Sequence, residues 1–168
     1  PGFAEGPNKN FDLRYIPVSL WYQLPFVHFG EESIGKFNQW HGAFDPINES
    51  VLATDLPLAD MKLVFEKEEE LLGNWKCHIW NYVDELHLKF VHGGKGGLVD
   101  ETDIDSYITE LYKYSSLRWV YARDPADGFL HKKHTKKPVF ALWWCVWPNL
   151  TINVYKWGVS INVYWPKL

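Results

Sequence analysis

The sequence is poor in cysteine, in net charge and in long apolar runs, and each shortage excludes something. Two cysteines, Cys77 and Cys145, allow at most one disulfide within the chain. A net charge of −4 supplies no global basic field for phosphate backbones, which makes nucleic acid a poor partner. No apolar run approaches the roughly 18 residues that suggest a membrane-spanning helix. The chain opens on Pro1 with no signal-like segment and reads as a mature or trimmed chain. Motifs for chemistry are missing too. There is no Gly-x-Ser-x-Gly, and neither cysteine has an obvious partner base in sequence, so covalent catalysis has no support. "GGKGG" at 93–97 lacks the length and the Ser/Thr of a phosphate loop and reads as a flexible hairpin end. "DETDID" lacks the glycine and the closing Glu of a calcium loop. No cofactor and no metal are implied.

What is abundant is aromatic: ten Trp, nine Tyr and ten Phe in 168 residues. Hydrophobic residues make up 46% and charged residues 23%, so the chain can form a core and wholesale disorder is excluded. At this length one domain is expected, burying roughly 70% of its unfolded surface. Ten Trp, each with an N–H that wants a partner, suggest that some line a groove, a cavity or an interface.

Along the chain, residues 1–30 read as an extended Pro- and aromatic-rich arm packing on the domain or on a partner, and 31–168 as a single β-rich domain. Pro17 and Pro25 permit short edge strands. "KFNQWHGAFDPINES" reads as a short strand and a loop ending in an Asp-Pro turn. "LADMKLVFEKEEELLGNW" predicts a helix, with Asp60 as cap, Met61, Val64, Phe65, Leu71 and Leu72 on one face, and Gly73 ending it. "WKCHIWNYV" and "ELHLKFVH" alternate and predict two strands of a hairpin, with His78, Trp80 and Tyr82 on one face. Tyr107, Leu111 and Tyr114 suggest a helical turn or a lid. "SLRWVYAR" predicts a strand, and "PVFALWWCVW", apolar on both faces, a central one.

"TINVYKWGVSINVYW" predicts the closing hairpin. An even loop keeps Ile and Val on one face and Thr151, Asn153, Tyr155, Ser160, Asn162 and Tyr164 on the other. A loop centred on Trp157-Gly158 sets Tyr155 against Ser160 and Asn153 against Asn162. The fold expected is mainly β, an antiparallel barrel or sandwich with one or two short helices. "LLGNW" resembles the Gly-x-Trp start of lipocalin-type barrels, which implies a calycin-like barrel. The likeness covers five residues of 168, and no lipocalin site is carried over.

Candidate sites follow from these placements. Glu85 and His87 on one strand, with Tyr82 beside them, form the best acid/base set should the protein be an enzyme. His78, Trp80, Tyr82, Asn153, Tyr155, Asn162 and Tyr164 are the candidates for binding a ligand or partner. "HKKH" at 131–134 reads as a solvated basic loop. With Trp143, Trp144 and Trp147 beyond it, 131–147 could touch a membrane surface if those tryptophans lie outside the core. Asn48 and Asn149 open glycosylation sequons, and with a possible Cys77–Cys145 disulfide they tilt the expectation toward a secreted or extracytoplasmic glycoprotein, an organelle lumen included.

Three functions are carried forward. The first is a non-catalytic binding protein whose aromatic side chains hold an apolar or aromatic ligand or a sugar. The second is an accessory subunit of a larger assembly, with neighbouring protein subunits as partners. The third is a cofactor-free isomerase or cyclase with an aromatic-lined cavity. Binding ranks first because the sequence offers surfaces and no convincing catalytic set.

Overall fold

The computed structural model describes residues 16–22, 24–29, 38, 40–57 and 60–166. The chain divides into an amino-terminal unit ending at Phe44 and a larger unit from Asp45 onward. Half of the expected arm, residues 1–15, lies outside the described residues, as do positions 23 and 30.

In the amino-terminal unit, β1 (Val18–Trp21) and β2 (Leu24–Val27) form a two-stranded antiparallel hairpin with Trp21 opposite Leu24. Pro25 is accommodated because the sheet has only two strands, both of them edges. Phe44, at the end of a 3-10 turn over Gly42–Phe44, is buried among rings: Trp21 stacks on it at 4.7 Å and Phe26 tilts against it at 5.0 Å.

The larger unit is mainly β. Short helices α1 (Asp45–Leu52), α2 (Trp75–Val83), α3 (Leu88–Val91) and α4 (Leu98–Glu101) precede a five-stranded antiparallel meander. Its strands are β3 (Thr102–Leu111), β4 (Ser115–Ala122), β5 (Val139–Val146), β6 (Leu150–Tyr155) and β7 (Gly158–Val163), each paired with the next. The expected barrel or sandwich is not seen among the described residues: the sheet is open, with β3 and β7 as edges. β5 is the central strand and is buried at every position, as its two apolar faces predicted.

Several expectations are corrected. "WKCHIWNYV" is the helix α2, not a strand. Trp75, His78, Ile79, Tyr82 and Val83 recur at the helical spacing and are its less exposed positions, while Trp80 points away at 69% exposure. Asn74 caps it by accepting a hydrogen bond from the Lys76 N–H at 3.0 Å, and Gly73 ahead of it takes a φ of +103°. "LLGNW" therefore opens a helix, and the lipocalin-like strand start is absent. "ELHLKFVH" holds the single turn α3, and "GGKGG" links α3 to α4 instead of closing a hairpin. Asp45-Pro46 opens α1, where a proline in the first turn loses no hydrogen bond. Tyr107 and Leu111 lie in β3, an extended strand and not a helical lid.

Among the described residues, the helix expected over 58–72 is not formed. Residues 61–71 carry neither helix nor strand, and Leu63, Val64, Phe65 and Leu72 are exposed. An isolated helix of this length is marginal without a surface to bury its stripe, and Glu66 with Glu69 and Glu70 places like charges three and four residues apart.

The closing hairpin keeps the predicted parity with a different register. The turn is Lys156-Trp157, so Tyr155 faces Gly158, Asn153 faces Ser160 and Thr151 faces Asn162. A shift of one residue in the loop position moves each pairing by two, which leaves both faces intact.

Candidate functional site

One face of the sheet carries a row across four strands: Arg118 on β4 pairs with Trp143 on β5, Trp143 with Asn153 on β6, and Asn153 with Ser160 on β7. This face is covered, not solvated. Tyr82 of α2 and Leu98 of α4 pack on a core of Val120, Ala122, Phe140, Ala141 and Trp143, together with Tyr107 and Tyr155.

Between this helical cover and the sheet lies a cavity of about 290 Å³. Four aromatic side chains line it, Tyr82, Tyr107, Trp143 and Tyr155, and Tyr107 stacks on Trp143 with ring centroids 6.0 Å apart. Asn81, Asn153 and Asn162 add amides and Arg118 a guanidinium. His87 and His92, whose rings meet edge to face at 5.2 Å, line the α3 side.

Hydrogen bonds fix most of these groups. The Tyr82 hydroxyl is 2.7 Å from Asn153 Oδ1 and 3.2 Å from the Trp144 carbonyl, placed to donate to either, and Asn153 Nδ2 donates to Ser160 Oγ at 2.7 Å. Asn162 Nδ2 donates to Thr151 Oγ1 at 3.1 Å, and Trp143 Nε1 to the Tyr155 hydroxyl at 2.9 Å. Burial raises the pKa of all three phenols: Tyr82 well above its ordinary value, Tyr155 upward against the opposing Trp143 bond, and Tyr107 to about 12 despite nearby Arg118. At neutral pH they stay protonated donors, which makes Tyr82 a poor base.

The proposed acid/base set is not assembled. Glu85 and His87 do not share a strand face: the Thr109 hydroxyl donates to Glu85 at 3.4 Å, whereas His87 Nδ1 pairs with Asp84 at 3.2 Å. Backbone N–H groups, Leu86 first, hold Asp84 below its ordinary range, and His87 adds to the effect. Of the binding candidates, Tyr82, Asn153, Tyr155 and Asn162 reach the cavity. His78 stacks against Tyr164 at 6.3 Å outside the cavity lining, and Trp80 is solvent-facing. Sequence reasoning missed Arg118, Tyr107 and Trp143.

The opposite face carries a second cavity, of about 250 Å³, against α1. His131 and His134, expected in a solvated loop, turn inward there. His131 is buried, His134 stacks on Trp119 at 3.9 Å, and the two imidazoles stack at 4.4 Å. The loop is pinned by backbone bonds from Lys132 to Ala53 and from Asp55 to Leu130. Ser50 and His131 do not make a nucleophile pair. The Lys133 N–H donates to His131 Nδ1, leaving the ring proton on Nε2, which faces Ser50 Oγ at 3.5 Å as a donor and not as a base.

Other expectations close here. Cys77 is exposed, Cys145 is buried, and both are free thiols, so the disulfide is absent. Trp143 and Trp144 belong to the core while Trp147 is exposed, which removes the paired tryptophans that a membrane-facing 131–147 segment required. Asn48 lies within α1, and Asn149 Nδ2 donates to the Tyr164 carbonyl at 2.9 Å. Among the described residues, no cluster of three or more His, Cys, Asp or Glu could hold a metal, and no helix is long and apolar enough to cross a membrane. Compared with known proteins, the chain matches no family model, no curated protein and no solved structure.

Proposed function

We propose that the protein is a binding protein that holds a small apolar or aromatic ligand, or a sugar, in the cavity between α2–α4 and the sheet. The observation that carries this reading is the convergence of Tyr82, Tyr107, Trp143 and Tyr155 with three asparagine amides around a half-open cavity of about 290 Å³. Aromatic walls bury flat or apolar surface, and a few fixed amides and hydroxyls give it an orientation. The volume corresponds to roughly ten waters at about 30 Å³ each, so the ligand is small. Native mass spectrometry of the protein purified from its own source, before and after denaturation, tests this. A lone chain that loses a small mass on denaturation supports it; a chain that carries none overturns it.

A second reading, an accessory subunit of a larger assembly, is favoured by edge strand β7. Val159, Ile161 and Val163 stand exposed along one face, with Trp157 and Trp165 exposed nearby. Co-purifying chains without a small mass, in the same spectra, would favour it over the first.

A further inference from the structure

We infer that the ligand of this cavity is a small organic anion, an aromatic or planar carboxylate, whose charged end is held by Arg118; the inference rests on the binding reading above and narrows it. Arg118 is 5% exposed, in the middle of the sheet, and lines the cavity. Its Nε donates to the Val83 carbonyl at the end of α2 at 3.2 Å. Its Nη1 is buried and has no hydrogen-bond partner among the described residues. A guanidinium stays charged at any accessible pH, and a buried unpaired charge is among the most expensive features a fold can retain. Within a chain of net charge −4, the lining of this cavity contains Arg118 and two histidines and no carboxylate. Asp84 pairs with His87, Glu85 accepts from the Thr109 hydroxyl, and no ion pair reaches Arg118 among the described residues.

The geometry accommodates both halves of such a ligand. Arg118 is cross-strand neighbour to Trp143, and Trp143 stacks with Tyr107, so the free guanidinium nitrogen lies beside an aromatic wall. A carboxylate accepts the planar fork of an arginine in a fixed orientation, and a ring attached to it would lie along the tryptophan and tyrosine faces. A role confined to capping α2 would use Nε alone. It would not account for a second nitrogen buried without a partner in a cavity free of acid groups.

The test is a set of matched probes: benzoate, phenylacetate and cinnamate, each against its primary amide. Binding is read at the indole N–H resonance of Trp143, assigned with Trp143→Phe. With the wild-type chain, at least one acid is expected to shift that resonance and to bind about tenfold or more tightly than its amide. Arg118→Gln should abolish the preference, and Arg118→Lys should restore part of it, each checked for folding by circular dichroism. Equal binding of acid and amide at Trp143 overturns the anion inference and leaves the cavity reading standing. No shift from any probe at millimolar concentration overturns the anion inference, and the binding reading is then decided by the native mass spectra. An acid preference that survives Arg118→Gln also overturns the inference. The wild-type comparison decides by itself if neither variant folds.

Discussion

The Tyr82 hydroxyl lies 2.7 Å from Asn153 Oδ1, joining the helical cover to the middle of β6. Both partners are largely buried, so the bond is made where an unpaired acceptor is costly. Tyr82→Phe is expected to cost about 1 kcal/mol in urea unfolding, and Asn153→Ala more, because it also frees Ser160. In a double-mutant cycle the pair should couple by about 1 kcal/mol. A coupling near zero would show that this bond does not hold α2 to the sheet.

The helical reading of "WKCHIWNYV" makes a second, opposite pair of expectations. Asn74→Ala removes the cap on the Lys76 N–H and should cost about 1 kcal/mol. Trp80→Ala, on the exposed side of α2, should change stability by no more than about 0.5 kcal/mol. Were the segment a strand with His78, Trp80 and Tyr82 on one face, Trp80 would matter as much as Tyr82, and thermal melts of the two variants would agree.

These residues also show where the sequence was legible. β5 could be read because a central strand has no solvent face, and "VFALWWCV" has none. The faces of β6 and β7 could be read because parity survives a shift in the turn; the register could not, because a loop on Lys156-Trp157 and one on Trp157-Gly158 satisfy the same alternation. "WKCHIWNYV" fits both periods, and the deciding signal, the Asn74 cap, stands behind Gly73, which suits the end of a helix as readily. Arg118 was missed for another reason. A single arginine in "SLRWVYAR" looks like the solvated side of a strand, and only the docking of α2 and α4 over that face makes it interior.

Stability should fall with mild acid. Burial and the neighbouring His134 push the His131 pKa down to about 4, and burial lowers His134 as well. Both imidazoles are therefore neutral in the folded chain at pH values where the unfolded chain begins to bind protons. The stabilisation is complete above an unfolded value of about 6.5 and is lost as pH falls from there toward about 4. Between pH 8 and pH 5 the unfolding free energy should drop by about 1–2 kcal/mol, and His131→Gln should flatten much of that slope. An unchanged slope in the variant would place the acid sensitivity elsewhere.

The two thiols should behave as different species. Cys77 sits exposed on α2, whereas Cys145 is buried in β5, where desolvation raises its pKa although Arg118 pulls the other way. Attack on a disulfide reagent requires both access and a thiolate, and Cys145 has neither in the folded chain. An aromatic disulfide reagent at neutral pH should therefore consume one thiol quickly and the second only as the chain unfolds. Cys77→Ser should remove the fast phase and leave the slow one. Under non-reducing conditions the intact mass should not rise by two hydrogens when reductant is added. A mass that does rise, with no thiol reactive in the native chain, would show the two cysteines joined, which requires α2 to leave the position it holds over the sheet.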